Sequence, residues 1–278
     1  MKFQYLGTAA AEGFPAVFCN CEYCKVARKL KGKNIRTRSQ SIIDDKLLID
    51  LPADTYMHML KFDLELDKVN TLLITHSHMD HLYSEELQNH AFCYAKNLRE
   101  EVLDVVCSQD TFNRIKYSAN RIHEEVLKTL NFKILKSYET ILVNGYKITA
   151  LPARHMKDEE CFIYLIEKDN KKMLYAHDTG YFHEGVINYL KDNSVSLDFV
   201  SFDCTCVLLE VPDNSTHMGL SNIKRLKEEL SNLNIINKNT KLYINHFSHN
   251  VNPLHERLEK LGIEYGVNVS YDGLTIDI

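Results

Sequence analysis

The chain has 278 residues, with 33 Lys plus Arg against 38 Asp plus Glu, a formal charge of −5. Apolar residues at 45% and charged residues at 26% exclude a disordered or fibrous chain and suffice for a sizeable core. The acidic balance argues against a chain built to grip long nucleic acid, and no run of about 18 apolar residues offers a membrane span.

Met1–Leu6 and Ser41–Asp50 read as strands, the second with a turn at Asp44-Asp45-Lys46 between two apolar runs. Val69–Thr75 is a short, nearly continuous apolar run of the buried-strand type. Ser84–Lys96 reads as a helix capped by Ser84, and Asp104–Ser108 as another buried strand. Asp110–Leu130 carries Phe112, Ile115, Ala119, Ile122, Val126 and Leu130 three and four residues apart, which predicts one amphipathic helix. Strands follow at Lys133–Leu135, Thr140–Val143, Lys147–Leu151, Phe162–Glu167 and Met173–His177. The helices Glu184–Lys191 and Leu220–Leu233 flank a buried strand at Leu197–Phe202, and a last strand is read at Lys241–Asn245. No Pro/Gly/Ser-rich linker and no repeat divides the chain, so residues 1–278 are expected to form a single α/β domain of two sheets with helices outside.

Eight Cys and thirteen His are the unusual counts. The strand Val69–Thr75 runs directly into His76-Ser77-His78-Met79-Asp80-His81, three imidazoles and a carboxylate within six residues. Imidazole suits Zn, Fe, Ni or Cu, and the carboxylate adds Mn. Cys19, Cys21 and Cys24 form a second cluster, and in a reducing compartment clustered thiols are metal ligands more often than disulfides. A reduced, partly buried loop is the plainer alternative. Cys93, Cys107, Cys161, Cys204 and Cys206 stand in apolar surroundings and are expected in the core.

The His-x-His-x-Asp-His run resembles the signature of the metallo-β-lactamase-fold superfamily. That resemblance implies an αββα sandwich with two metal ions at one edge of its sheets, and further ligands each just after a strand. They would be His155 in LPARH, Asp178 in AHDTG and His246 in YINHFSH. It also implies a division of labour, with one metal on His76, His78 and His155, the other on Asp80, His81 and His246, and Asp178 as the bridge.

The opening Gly7–Pro15 followed by Cys19-x-Cys21-x-x-Cys24 is similar to the branch containing the phosphoribosyl cyclic phosphodiesterase of the carbon–phosphorus lyase pathway. In that branch the three cysteines hold a structural zinc together with a His three residues after the last active-site His, here His249. Three thiolates and one imidazole close a tetrahedral zinc site and leave no open position. By the same resemblance His217, ahead of the helix at Leu220, approaches the substrate phosphate. Ala9 departs from the glycine usual in the branch. The segment Ala91–Leu130 has no counterpart in the resemblance and is left as lid, dimer surface or core.

The resemblance implies a metal-dependent hydrolase that cleaves a small, in one form cyclic, phosphodiester with a metal-bridged hydroxide. Asp80 and His217 are the expected catalytic residues. Two divalent ions (Zn or Mn, with Fe allowed by the donors) and one structural Zn are the expected cofactors. An acyl-bond hydrolase acting on a thioester, lactone or β-lactam, and an iron-dependent oxidoreductase, are the rival readings. A cytoplasmic location is expected, since no signal-type apolar run follows Met1, with a small phosphodiester as partner and a homodimer left open.

Overall fold

Fourteen strands in the computed structural model, which describes residues 1–91, 93–118 and 122–278, form two seven-stranded sheets. The first sheet contains β1 (Lys2–Gly7), β2 (Gln40–Ile43), β3 (Leu47–Ile49), β4 (Thr71–Leu73), β5 (Leu103–Cys107) and β6 (Leu130–Ile134). The second contains β7 (Thr140–Val143), β8 (Tyr146–Pro152), β9 (Phe162–Lys168), β10 (Lys171–Ala176), β11 (Phe199–Asp203), β12 (Lys241–Asn245) and β13 (Asn268–Val269). Strand β14 (Thr275–Asp277) returns to the first sheet beside β1, so the orders are β14-β1-β2-β3-β4-β5-β6 and β13-β12-β11-β10-β9-β8-β7.

The helices are α1 (Glu22–Leu30), α2 (Thr55–Phe62), α3 (Gln109–Ser118), α4 (Glu124–Leu127), α5 (Glu184–Asp192), α6 (Leu220–Asn232) and α7 (His255–Tyr265). Alternating residues of the two inner faces, such as Phe3, Tyr5 and Ile49 against Ile148, Tyr164 and Tyr175, make the shared core. On the outer face of the second sheet Val186, Leu190, Ile223, Leu226 and Leu258 bring α5, α6 and α7 down. Ile115 of α3 and Val126 of α4 pack on Leu72 and Val105 outside the first. The layering is the αββα sandwich the sequence led us to expect. Among the described residues no helix is long and apolar enough to cross a membrane.

Two predicted helices are corrected. Ser84–Lys96 is a 3-10 segment at Ser84–Asn89, with no helix or strand among the described residues from there to Lys96. The Tyr83 amide is committed to Leu51 O, and the Ser84 hydroxyl donates to Ser118 Oγ at 2.8 Å instead of capping. Asp110–Leu130 divides into α3 and α4, with Leu130 opening β6, while Ala119 lies outside the described residues. His123 takes an extended conformation and caps α4 by accepting from the Glu125 amide, so a new helix starts there. Ile122, Val126 and Leu130 face one core from different elements, which imitates a single helical stripe. Of the five cysteines expected in the core, Cys93 is exposed and Cys206 half-buried.

The strand directions place the functional loops. β10, β11 and β12 run parallel, and β8 shares their direction through the antiparallel β9. Their carboxyl ends therefore open onto one edge of the second sheet.

Candidate metal centre

Each donor of interest follows a strand directly. His76, His78, Asp80 and His81 occupy the loop after β4, His155 follows β8, Asp178 follows β10 and His246 follows β12. The structure brings all seven together in two groups whose donor atoms lie within 4.8 Å of one another. One is His76, His78, His155 and Asp178; the other is Asp80, His81, His246 and Asp178. Asp178 belongs to both. Its Oδ2 stands 2.8 Å from His81 Nε2 and 3.4 Å from His76 Nε2.

Three of the tautomers follow from hydrogen bonding. The Thr75 hydroxyl donates to the Asp50 carboxylate, so its oxygen accepts from His76 Nδ1 at 3.0 Å. His81 Nδ1 donates to Asp50 Oδ2 at 2.7 Å. The Thr205 hydroxyl donates to Asp203 Oδ2, so its oxygen accepts from His246 Nδ1 at 2.8 Å. Each of these rings is held from behind with its Nε2 facing the centre, the way metal-ligating imidazoles are oriented.

Burial and the neighbouring His81 cation hold His76 well below the usual histidine range. Burial likewise lowers His155, against the pull of Asp178. Both rings therefore present lone pairs. Burial works against the Asp178 and Asp80 anions, yet the imidazoles around them hold both well below the usual carboxylate range. Burial also works against a His81 cation, but Asp80, Asp50 and Asp178 raise it well above the histidine range. A proton on His81 Nε2 is a positive charge set among these carboxylates, and a divalent ion would take its place.

The donor set fits such ions. His78 Nδ1 lies 2.9 Å from His76 Nε2 and 3.1 Å from His155 Nε2, and His81 Nε2 lies 3.3 Å from His246 Nε2. A tetrahedral ion with metal–nitrogen bonds of about 2.0–2.1 Å sets its donors about 3.3 Å apart. Nitrogens at these separations need a proton or a cation between them, and among the described residues the buried Asp178 Oδ1 has no hydrogen-bond partner. Asp50, Asp178 and His246 all have left-handed backbones, with φ of 66°, 51° and 64°. Such strain in non-glycine residues gathers at functional sites.

His217 sits at the mouth of the centre, half-buried and stacked on His246 with ring centroids 5.9 Å apart. The loop that carries it lies hard against Gly180, where a Cβ would fall 1.8 Å from Ser215 O. Its Nδ1 is 3.2 Å from Asp203 Oδ2 and 3.3 Å from Asp178 Oδ1. Burial lowers the His217 pKa, but Asp203, Asp178 and Asp80 outweigh it and push it up to about 9. Asp203 was missed by sequence reasoning. It is fully buried at the end of β11 and accepts from the Thr205 and Met218 amides, the Thr205 hydroxyl and His217. The available signal was its place, a carboxylate closing an apolar strand in VSFDC, which is the rule that located the other donors.

Cys19, Cys21 and Cys24 also come together, their sulfurs within 4.8 Å of one another. Cys21 caps α1 by accepting from the Cys24 amide, which lowers its thiol pKa, while burial pushes Cys24 up to about 12. His249 is not in this trio; its Nδ1 donates to Glu12 Oε1 at 2.8 Å.

Comparison with known proteins agrees with this fold. The family model described as Beta-lactamase superfamily domain matches residues 47–244. A diphosphatase from the PhnP family is 20% identical with a TM-score of 0.75, over 100% of this chain and 97% of that one. Zn(2+)-bound PqqB from Methylobacterium extorquens is 17% identical with a TM-score of 0.73, over 100% of both chains. The short form of human tRNase Z is 15% identical with a TM-score of 0.66, over 100% of this chain and 99% of that one. No curated protein sequence matches the chain.

Proposed function

This chain belongs to the beta-lactamase superfamily, and from that premise we propose that it is a metal-dependent hydrolase of a small phosphodiester. The observation that carries the reading is the pair of four-donor groups joined through Asp178. His76, His78 and His155 would hold one divalent ion, Asp80, His81 and His246 a second, and Asp178 would serve both. When bound, two such ions supply Lewis acidity, an acidified water and neutralisation of charge at the attacked phosphorus.

The chain's own residues supply orientation and a proton. Thr75, Asp50 and Thr205 hold three ligand rings from behind. Asp203 accepts from His217 Nδ1, which fixes the ring and favours its protonated form. His217 Nε2–H is then placed to give its proton to the departing alkoxide. With cations on Asp178 and Asp80, Asp203 is the carboxylate left to sustain that charge.

The likeness to a PhnP-family diphosphatase supports phosphorus over acyl chemistry, and the net charge of −5 supports a small substrate over a long polyanion. A separate zinc on Cys19, Cys21 and Cys24, with His249 as fourth ligand, belongs to the same reading. The Glu12 carboxylate on His249 Nδ1 leaves Nε2 as the donor nitrogen.

Turnover of an aryl phosphodiester beside an aryl thioester tests the reaction class. The diester is expected to be the better substrate, and faster thioester cleavage would favour the acyl-bond alternative. His217→Ala should keep its full metal content and lose at least about tenfold in diester turnover, a floor set below the roughly 10²–10⁴-fold a general acid typically contributes. Unchanged turnover would remove His217 from the mechanism.

A further inference from the structure

Beneath the metal centre lies a fully buried imidazole that belongs to neither donor group, His58 of α2, set against Gln40 of β2. Burial pushes its pKa down to about 4, so near neutral pH the ring carries one N–H. The surrounding bonds fix where that proton is. Thr55 gives its hydroxyl proton to Pro52 O at 2.6 Å, so its oxygen accepts from Gln40 Nε2 at 3.0 Å. Asp50 O, also 3.0 Å from Gln40 Nε2, can only accept. Both acceptors face the amide NH2, which turns Gln40 Oε1 toward His58 Nδ1, 2.5 Å away. An amide oxygen cannot donate, so Nδ1 carries the proton, and Nε2 faces Thr37 Oγ1 at 2.6 Å.

Gln40 thereby grips the peptide between Asp50 and Leu51. The other side of that peptide, the Leu51 amide, donates to His81 O at 2.7 Å. The Asp50 side chain meanwhile accepts from His81 Nδ1 at 2.7 Å, out of a left-handed backbone with φ of 66°. One peptide plane therefore sets both the main chain and the ring of His81, and in a conformation L-residues disfavour it needs an external tether.

We propose that Gln40 and His58 are positioning residues: His58 holds the Gln40 amide in the orientation that ties down Asp50, and Asp50 aims the His81 ring into the metal centre. The inference rests on the reading of His81 as a metal ligand.

Two polar variants separate the two faces of the His58 ring. His58→Asn places an amide NH2 where Nδ1 stood and keeps the donor to Gln40, whereas His58→Gln reaches the Nε2 position and serves Thr37 instead. Zinc affinity is measured by chelator competition, together with the low-field proton resonance of His81 Nδ1–H in the zinc-loaded protein. His58→Asn should stay within about threefold of the unsubstituted protein with that resonance in place. His58→Gln should bind the Asp80/His81/His246 ion about tenfold more weakly, the lower end of what loss of an outer partner costs, and should shift or lose the resonance. If His58→Gln does not fold, Gln40→Glu applies the same test, since it sets an oxygen against Asp50 O, and the same weakening is expected. Undiminished affinity with an unmoved resonance, even beside a lower melting temperature, overturns the inference. Unsubstituted protein that retains zinc at the cysteine loop alone overturns the ligand reading, and this inference with it.

Discussion

Asp178→Ala is expected to lose about three orders of magnitude in turnover and to retain fewer divalent ions per chain than the unsubstituted protein. Asp178 is the one residue common to both donor groups, with Oδ2 at 2.8 Å from His81 Nε2 and Oδ1 at 3.3 Å from His217 Nδ1. Burial opposes its negative charge, yet His246 and His81 keep it ionised. Removing it takes away the anion against which both cations are held. Metal-derived stabilisation of transition-state charge is worth several kcal/mol, and a loss of about 4 kcal/mol corresponds to about 10³ in rate. Elemental analysis alongside turnover checks both parts. A variant with a full complement of metal and turnover within about tenfold of the parent would show that Asp178 does not join the two sites.

Cys21→Ser is expected to lower the zinc content by one ion per chain and the melting temperature on the order of 10 °C, as loss of several kcal/mol would do in a domain of this size. The N-terminal loop has a thin core of its own, in which Phe14, Ala16, Cys24 and Ala27 are the buried apolar residues. It is tied to Arg36 and Arg38 ahead of β2 and to the loop after β12. The Ala10 amide donates to Phe247 O, and Glu12 accepts from the Ser248 hydroxyl and from His249. A zinc shared by the three thiolates and His249 would fasten the same two segments. Cys93→Ser, at an exposed cysteine outside the trio, serves as the control and should leave the zinc count unchanged. An equal zinc count in Cys21→Ser would refute a metal at this loop.

The donors were legible in the sequence to very different degrees. His76, His78, Asp80 and His81 crowd one short loop, so a buried strand followed by four side chains able to ligate a metal was visible in the linear chain. His155, Asp178 and His246 are scattered over 92 positions and came from the resemblance, whose strand-end rule works because the carboxyl ends of β8, β10 and β12 open onto one edge. Asp203 obeys the same rule but looked like the polar end of an ordinary strand. Asp50, Gln40 and His58 left no trace, because their roles depend on side-chain pairings between elements that no local pattern encodes. The two misread helices failed for a related reason. Ser84 has the chemistry of a cap but spends its hydroxyl on Ser118, and three apolar residues from separate elements kept helical spacing because they share one core.

The proposed function requires that the Asp80 and Asp178 centre hydrolyse phosphodiesters. The most direct measurement is turnover of an aryl phosphodiester by metal-reconstituted protein, with Asp80→Ala prepared and reconstituted in parallel. Asp80 is buried beside His81, with Oδ2 3.3 Å from His81 Nε2. Activity that depends on added divalent metal and disappears in Asp80→Ala is the predicted result. Equal turnover by the variant, or none by the parent with any divalent metal supplied, would contradict the account and bring the acyl-bond and iron-dependent readings forward.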